Sequence, residues 1–239
     1  MKTIGLIGGM SWESTEKYYR IINEEVKKQL GGLHSAKCIL FSVDFDQIEK
    51  YQRSGEWDKC GIILNDAAKS LEKAGADFLI LCTNTMHKLE KQILEDVSIP
   101  FLHIADMTAE EIIAKKIHKI GLLGTIYTME EDFYKKRLEA KGLEVIVPDK
   151  TDREVVNNII FKELCVGNIC PSSKQKYLEI INKMISSGIE GVILGCTEIG
   201  LLINQSDIGK NALSVTIPVF DTTIIHAKKA VEHSVAPSD

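Results

Sequence analysis

The chain has 239 residues, a formal net charge of −5, and 44% hydrophobic and 26% charged residues. This length can bury a sizeable core in one large domain or in two small ones. The modest negative charge gives no basic surface, so we expect no nucleic-acid partner. No apolar run approaches the ~18 residues of a membrane span, and glycines interrupt the apolar start of the chain. We therefore expect a cytoplasmic protein with no membrane contact.

In the first half of the chain, short apolar runs alternate with segments that have the periodicity of amphipathic helices. The predicted strands and helices of this half are strands 3–7, 37–43 and 78–82, and helices 11–30, 56–74 and 87–95. The strand runs show no polar alternation, which is typical of strands covered on both faces. This pattern favours a parallel sheet with right-handed crossover connections.

The second half shows the same alternation of apolar strands and amphipathic helices. The predicted elements are strands 119–123, 143–147 and 191–194, and helices 129–141, 152–165 and 172–187. The tail at 221–233 has helical periodicity, and we expect it to pack back on the first half. The whole chain therefore predicts an α/β protein.

Three segments of the first half return in the second half. The segment "KTIGLIGG" at 2–9 returns as "HKIGLLGT" at 118–125. The segment "GADFLILCTNT" from Gly75 returns as "GIEGVILGCTE" from Gly188, and "SIPFLHI" returns as "TIPVFDT". The near-constant offset of these pairs indicates that the two halves are copies of one α/β unit.

We predict two pseudo-symmetric lobes, each a mainly parallel sheet flanked by helices. The N-terminal lobe is predicted to comprise 1–108 and 215–239, including the returning C-terminal helix, and the C-terminal lobe to comprise 109–214. Such sheets bind ligands at the carboxyl ends of their strands. We therefore expect the active site in the cleft between the lobes.

The polar residues at two strand ends align when they are counted from the glycine that opens each segment. Thr83 lies eight residues after Gly75, and Cys196 lies eight residues after Gly188. The alignment without gaps therefore pairs Cys196 with Thr83 and not with Cys82. Successive side chains of an extended strand point to opposite faces. We expect Thr83 to face the site and Cys82 to face the sheet packing.

The loop after the first strand of each half offers further polar groups. The segment 8–11 turns into a helix, so its backbone N–H groups, including that of Gly9, could bind an anion. An ordinary tight turn is the alternative. Thr125 occupies the position of Gly9 in the second half, and Thr128 with Glu131 predicts a capping box.

Asn84 and Thr85 directly follow Thr83, and their side chains can reach a carboxylate or an ammonium group. His87 and His103 lie near strand ends and could support the site, or could be ordinary polar residues. The six cysteines show no CxxC pair and no metal-ligand spacing with histidine. We therefore expect free thiols and no metal site.

Five motifs are spread along the chain: "IGLIGGMSWEST", "GEWDK", "CTNTMH", "LLGTIYTMEEDFY" and "GCTEIGLL". Together they resemble the aspartate/glutamate racemase family, especially its bacterial aspartate-racemase-like branch. The resemblance implies an enzyme that inverts Cα of a small amino-acid substrate between two acid/base residues. It also implies that no pyridoxal phosphate or other cofactor takes part, and that the protein forms a homodimer.

The family usually has Cys-Asn-Thr in the first half and Gly-Cys-Thr in the second. This chain has Thr83 in place of the first of these cysteines. The resemblance therefore implies Thr83 and Cys196 as the catalytic pair, with Cys82 a weaker candidate. A threonine hydroxyl is a far weaker acid than a thiol, so it needs a neighbouring group or water to help it act as a base. We therefore expect Cys196, which can form a thiolate, to be the stronger base of the two. The two directions of proton removal are then expected to be unequal in efficiency.

The resemblance also implies which groups hold the substrate. Met10 and Gln52 are expected to shape the side-chain pocket, and Gln52 and Arg53 are expected in a loop. The other expected substrate ligands are Asn84, Thr85, Thr125, Thr197 and Glu198, and the weaker candidates are Gly9, Arg53 and Lys162. Arg53 could instead be a solvated surface residue, and Glu198 could orient Thr197 or cap a helix.

Two other functions remain open from the sequence. A single cysteine on this scaffold also fits an isomerase or a decarboxylase of the same superfamily, and the unequal Thr/Cys pair keeps that alternative open. Two lobes that clamp an amino acid without reaction would make a noncatalytic binding protein. A missing acid/base group on one face of Cα would favour that alternative.

Overall fold

The computed structural model describes residues 1–209 and 216–236, which form two compact α/β units. The first unit comprises Met1–Ile104 and the described residues from His226 onward, and the second unit is Ala105–Ile225. These boundaries differ from the predicted lobes at 1–108 with 215–239 and at 109–214. The chain leaves the second unit later than predicted because its last strand, β8 (Val219–Asp221), pairs with a strand of the second sheet. None of the described helices is both long and apolar enough to cross a membrane.

The first unit contains a four-stranded sheet whose strands all run parallel in the order β2-β1-β3-β4. A 3₁₀ helix at Thr85–Leu89 follows its third strand. Its other elements are β1 (Ile4–Gly8), α1 (Trp12–Leu30), β2 (Cys38–Ser42), α2 (Phe45–Ser54), α3 (Trp57–Lys73), β3 (Phe78–Leu81), α4 (Glu90–Ile93) and β4 (Phe101–Leu102).

The second unit contains a sheet of the same topology, with parallel strands in the order β6-β5-β7-β8. Short 3₁₀ helices lie at Leu164–Val166 and Gln205–Asp207. Its other elements are α5 (Ile104–Ala114), β5 (Lys119–Gly124), α6 (Ile126–Glu130), α7 (Asp132–Glu139), β6 (Glu144–Ile146), α8 (Lys150–Lys162), α9 (Pro171–Ser186), β7 (Gly191–Gly195), α10 (Ile199–Leu202) and β8. Helix α11 (Thr222–Val235) begins in this unit and belongs to the first unit from His226 onward. The predicted fold class, parallel sheets flanked by helices, is confirmed.

The register of the two sheets matches strand by strand. In the first unit Ile4 of β1 is opposite Phe78 of β3, and in the second unit Ile120 of β5 is opposite Gly191 of β7. The fourth strands follow the same rule, because β4 and β8 pair with equivalent residues of β3 and β7. The repeat predicted from the three recurring segments is therefore a repeat of backbone structure.

Buried apolar clusters cover both faces of the first sheet. One cluster packs α2, α3 and α4 against the sheet, and the other packs α1 and α11 against its opposite face. The second unit has a cluster that joins β5 and β7 to α8 and α9. Strands covered in this way need apolar residues on both faces, which explains their continuous apolar runs.

Several predicted elements differ from the structure. The predicted helix 87–95 is a 3₁₀ helix followed by the short α4, and the predicted helix 129–141 is divided into α6 and α7. The capping box predicted for Thr128 and Glu131 is wrong. Thr125 caps α6 by accepting the Thr128 N–H at 3.3 Å, and the side chain of Glu131 makes no cap.

Candidate active site

Cys82, the residue that follows β3, belongs to the core of the first unit. Its side chain is fully buried in the cluster that contains Ile4 and Tyr18. Burial in this apolar cluster raises the pKa of the Cys82 thiol far above its ordinary value. The count along the strand predicted that Cys82 faces the packing of the sheet, and its buried position agrees with that prediction.

Thr83 and Cys196 occupy equivalent positions in the two sheets. Leu81 of β3 is opposite Ile7 of β1, and Leu194 of β7 is opposite Leu123 of β5. Thr83 and Cys196 each lie two residues beyond these matched positions. Each residue retains slight exposure, 9% for Thr83 and 8% for Cys196. The sheet register therefore agrees with the pairing derived from the sequence, and the catalytic role of the pair stays a prediction.

Cys196 is hydrogen-bonded to an acidic neighbour. Its Sγ–H donates to Oε2 of Glu198 at 3.0 Å, and the Thr197 hydroxyl donates to the same oxygen at 2.8 Å. Burial, and next the negative charge of Glu198, raise the pKa of Cys196 well above its ordinary value. At neutral pH Cys196 is therefore a thiol. Glu198 orients both Cys196 and Thr197, which realises one of the roles predicted for it.

The loop between β1 and α1, predicted to bind an anion or to be a tight turn, uses some of its polar groups in internal hydrogen bonds. The Gly9 N–H donates to Oγ1 of Thr15 at 2.8 Å. The side chain of Ser11 caps α1 by accepting the Ser14 N–H, and the Ser11 carbonyl accepts the Thr15 N–H. The Gly9 N–H is therefore engaged within the segment, and anion binding by the 8–11 loop stays a prediction beside the tight-turn alternative.

Thr125, predicted as a substrate ligand, is buried at the start of α6. Its Oγ1 accepts from Thr128 N–H and lies 3.3 Å from Oγ1 of Thr128. The hydroxyl therefore has a structural role as a helix cap. A contact between Thr125 and a substrate stays a prediction.

Asn84 and Thr85 are buried immediately after Thr83, where the 3₁₀ helix begins. The same helix carries His87, whose Nδ1 lies 2.8 Å from the carbonyl oxygen of Thr83. Nε2 of His87 accepts the N–H of Ile104 at 3.2 Å. The suggestion that His87 supports the site thus has a specific contact, whereas ligand contacts by Asn84 and Thr85 stay predictions.

Met10 and Gln52 lie in the interior of the first unit. Met10 is buried in the core cluster of α2 and α3, and Gln52 Nε2 donates to Sδ of Met86 at 2.8 Å. The prediction that Gln52 and Arg53 lie in a loop is wrong, because both belong to α2. This helix escaped prediction because its residues are mostly polar and only Ile48 and Gln52 are buried.

The two candidate cations are on the surface of their own units. The Arg53 side chain is 73% exposed and lies 3.7 Å from Glu49, so the solvated alternative describes it. Lys162 is exposed at the last residue of α8. Within the residues that the structure describes, no three histidine, cysteine, aspartate or glutamate side chains are grouped as metal ligands.

His226 is a buried residue near the site for which the sequence indicated only a helical position. Its Nδ1 lies 2.9 Å from the Tyr18 hydroxyl, and its Nε2 lies 2.8 Å from the Leu102 carbonyl oxygen. Burial lowers the pKa of His226 to about 4. A histidine on the apolar face of a predicted helix is the signal that could have identified this buried contact.

The fold and the strand ends define a class of protein: duplicated α/β units with a threonine or a cysteine two residues beyond the matched end of the third strand of each sheet. The model of the family described as Asp/Glu/Hydantoin racemase matches residues 7–230. The broad specificity amino-acid racemase RacX of Bacillus subtilis (strain 168) is 26% identical over 236 residues, which cover 95% of this chain and 96% of RacX.

Two solved structures resemble the chain over nearly its whole length. A Yersinia pestis protein described as a candidate Asp/Glu racemase is 54% identical, with a TM-score of 0.88 and coverage of 99% of this chain and 100% of that protein. An aspartate racemase homologue from Pyrococcus horikoshii OT3 is 40% identical, with a TM-score of 0.81 and the same coverage. The chain belongs to the Asp/Glu/Hydantoin racemase family.

Proposed function

We propose that this protein is a cofactor-independent amino-acid racemase that acts on aspartate, glutamate or another small amino acid. Family membership and the similarity to RacX and to the Pyrococcus horikoshii aspartate racemase homologue support the proposal. The observation that carries it is the equivalent position of Thr83 and Cys196 in the two sheets. We further propose a homodimer as the active form, on the basis of the family resemblance.

Racemisation through a planar carbanion requires proton removal from one face of Cα and proton return to the other. We assign one face to Cys196 and the other to Thr83. Asn84, Thr85 and Thr197 are proposed to hold the carboxylate of the substrate by hydrogen bonds. We also propose that the protein is cytoplasmic.

The hydrogen bond between Cys196 and Glu198 supplies a route to the reactive thiolate. The thiol proton moves to Oε2 of Glu198, and the resulting thiolate takes the Cα proton. Cys196 is then a thiol again, the electron pair remains on Cα, and the Thr83 hydroxyl donates a proton to the opposite face. Solvent returns a proton to Thr83 and accepts the proton held by Glu198. A thiol of raised pKa forms little thiolate, but that thiolate is a strong base.

The reverse reaction requires Thr83 to remove the Cα proton, which a hydroxyl does less readily than a thiolate. For two enantiomers the equilibrium constant is one, so kcat/KM must be equal in the two directions. The inequality between the two bases therefore affects kcat and KM separately. It also affects how much isotope enters the unreacted substrate.

The test is deuterium incorporation at Cα in heavy water, with purified protein and no added cofactor. Each enantiomer of aspartate, glutamate and a panel of small amino acids is followed by mass spectrometry and chiral chromatography. Exchange with inversion is the expected result. Exchange without inversion would indicate a one-base enzyme, and neither process with any substrate of the panel would contradict the proposal.

A further inference from the structure

Three histidines are buried together at the carboxyl ends of β3 and β4 in the first unit. The ring centres of His87 and His103 are 4.4 Å apart, and those of His87 and His226 are 6.0 Å apart. All three side chains are buried. The proposed chemistry uses none of them, so their position directly behind Thr83 needs another explanation.

The contacts of His87 determine which of its nitrogens carries the proton. The backbone N–H of Ile104 can only donate, so Nε2 of His87 must accept and is unprotonated. Nδ1 therefore carries the proton and donates it to the carbonyl oxygen of Thr83. His87 is neutral in this arrangement, and both of its nitrogens are in use.

The carbonyl of Thr83 lies beyond the hydrogen-bonded part of the sheet. The ladder between β1 and β3 ends with the pair Ile7 and Leu81, after which the Cys82 N–H donates to the Ile7 carbonyl. His87 thus holds the backbone of Thr83 where the sheet no longer does. Through Ile104, the first residue after His103, it also connects the end of β3 to the end of β4.

The second unit connects the equivalent strand ends by another side chain. Thr222 occupies the position of Ile104 in the repeat, and its hydroxyl donates to the Leu194 carbonyl at 2.8 Å. The residue equivalent to His87 is Gly200, which offers no side chain. Both units therefore have a side-chain hydrogen bond between their third and fourth strands, made by different residues.

The groups around His87 favour its neutral form. The Leu102 carbonyl can only accept, so Nε2 of His226 carries a proton, and Nδ1 of His226 lies 2.9 Å from the Tyr18 hydroxyl. Burial also holds the pKa of His226 at about 4. His226 therefore places no positive charge beside His87 at neutral pH, and the Nδ1–H donor to Thr83 is retained.

We infer that His87 is a positioning residue for the proposed acid/base threonine: its hydrogen bonds to the Thr83 carbonyl and from the Ile104 N–H fix the orientation of Thr83. This inference rests on the proposed racemase function. A displacement of about 1 Å in a reacting group can lower a rate about a hundredfold. His87 is expected to affect the steps in which Thr83 transfers a proton and to leave those of Cys196 unchanged.

Three substitutions separate the two contacts of His87. In His87→Asn the side-chain nitrogen can replace Nδ1 and keep the donor to Thr83, but the acceptor for Ile104 is lost. In His87→Gln the side-chain oxygen can replace Nε2 and keep the Ile104 contact, but the donor to Thr83 is lost. His87→Leu removes both contacts. His103→Gln, which changes the neighbouring buried ring, is the matched control.

The experiment measures deuterium incorporation in heavy water for each enantiomer separately. His87→Gln and His87→Leu are expected to lower incorporation from the enantiomer deprotonated by Thr83 at least about tenfold. Deuterium incorporation into the enantiomer deprotonated by Cys196 is expected to stay within about twofold of that of the unsubstituted protein. This enantiomer is expected to exchange its Cα proton without being inverted. His87→Asn is expected to retain more deuterium incorporation from both enantiomers than the other two His87 variants. His103→Gln is expected to change incorporation from the two enantiomers to the same extent.

The outcomes distinguish this inference from the proposed function. If the unsubstituted protein neither exchanges nor inverts any substrate, the racemase proposal fails and the role of His87 fails with it. If the unsubstituted protein racemises and the His87 variants lose deuterium incorporation equally from both enantiomers, or from neither, only the positioning role is overturned. A nitrogen-15 NMR spectrum of the histidines that shows a proton on Nε2 of His87 would overturn it without any activity measurement.

Discussion

Single residues make the two halves of this protein chemically unequal. The repeat places a hydroxyl at Thr83 where it places a thiol at Cys196, and only the thiol has a carboxylate, that of Glu198, within hydrogen-bond distance in its own motif. A thiolate can form through this contact, whereas a threonine alkoxide is a far less accessible base. The strand-end residue of the second half, Cys196, is therefore the more effective base, and that of the first half, Thr83, is the weaker one.

Substitution of Thr83 tests its hydroxyl directly. Thr83→Val keeps the shape but removes the hydroxyl, so inversion is expected to fall at least about a hundredfold. Deuterium incorporation into the enantiomer that Cys196 deprotonates is expected to remain. Thr83→Ser, which keeps the hydroxyl, is the control and should invert at a rate much closer to the unsubstituted protein. Loss of incorporation from both enantiomers in Thr83→Val would contradict the assignment.

Substitution of Glu198 tests the proton acceptor of Cys196. The charge of Glu198 and its hydrogen bond both raise the pKa of Cys196, so Glu198→Gln should let the thiolate form at lower pH. The pH profile of Cys196 alkylation by iodoacetamide, read by peptide mass mapping, is expected to move to lower pH. Racemisation is expected to fall, because the thiol proton loses its acceptor.

Cys196→Ser identifies the alkylation that belongs to the other five cysteines and serves as the control in this experiment. If Glu198→Gln leaves the pH profile of Cys196 unchanged, the thiol is not under the influence of Glu198. If racemisation is also unchanged, proton transfer to Glu198 is not part of the reaction.

At the scale of elements, the β1–α1 loop depends on a glycine. Gly9 has a φ of +93°, and a Cβ at this position would lie 2.3 Å from the Val43 carbonyl oxygen. Gly55, which ends α2, has a φ of +77° with nothing within 4 Å of its Cβ position. The two glycines therefore separate the cost of the backbone angle from the cost of the steric clash.

Gly55→Ala is expected to lower the free energy of unfolding by about 1 kcal/mol, the cost of a left-handed residue. Gly9→Ala is expected to lower it by at least about 3 kcal/mol, because the Val43 backbone must move as well. Chemical denaturation of the two variants measures this difference. Equal losses in the two variants would show that the loop adjusts without cost.

Helix α11 is attached to the first sheet through His226, whose pKa of about 4 makes the attachment sensitive to acid. The unfolded chain binds a proton at this histidine below about pH 6.5, whereas the folded chain does not until about pH 4. Stability from this group is therefore complete above pH 6.5 and is lost as the pH falls toward 4. The loss amounts to about 3 kcal/mol.

The pH dependence of unfolding measures this contribution of His226. His226→Gln keeps a donor for the Leu102 carbonyl but has no ionisable group. Its free energy of unfolding is expected to fall less between pH 6.5 and 4 than that of the unsubstituted protein. His34→Gln, at an exposed position, is the control and should keep the full dependence. Identical slopes in all three proteins would contradict the assignment.

Sequence patterns predict the strands with continuous apolar runs and most of the long helices, but they miss α2, α5, β4 and β8. Strand β3 is predicted at 78–82 and observed at Phe78–Leu81, because its residues form one continuous apolar run. Strands β4 and β8 have two and three residues, which are too few to show periodicity, although the recurring "IP" segments precede them. Counting residues from the glycine that opens each recurring segment gives the pairing of Thr83 with Cys196. It cannot give the bridge from Thr83 to Ile104, which depends on tertiary packing.

At the scale of the whole chain, duplication supplies two equivalent frameworks, and divergence makes their strand ends differ. Gly9 corresponds to Thr125, Thr83 corresponds to Cys196, and His103 corresponds to Asp221. A racemase acts on two mirror-image substrates, and two related but unequal frameworks suit that task. The matched sheets keep the backbone positions of the strand ends equivalent, while the residue type at each strand end differs between the two halves.

The return of α11 to the first unit also affects how the chain emerges during protein synthesis. Ala227, Ala230 and Val231 fill the same buried cluster as Ile4 and Leu6. A nascent polypeptide that has reached residue 104 therefore carries an apolar sheet face that α1 covers in part and that α11 covers only after it has left the ribosome. The second unit is continuous in sequence, so the later-synthesised half can complete its interior before the earlier one does.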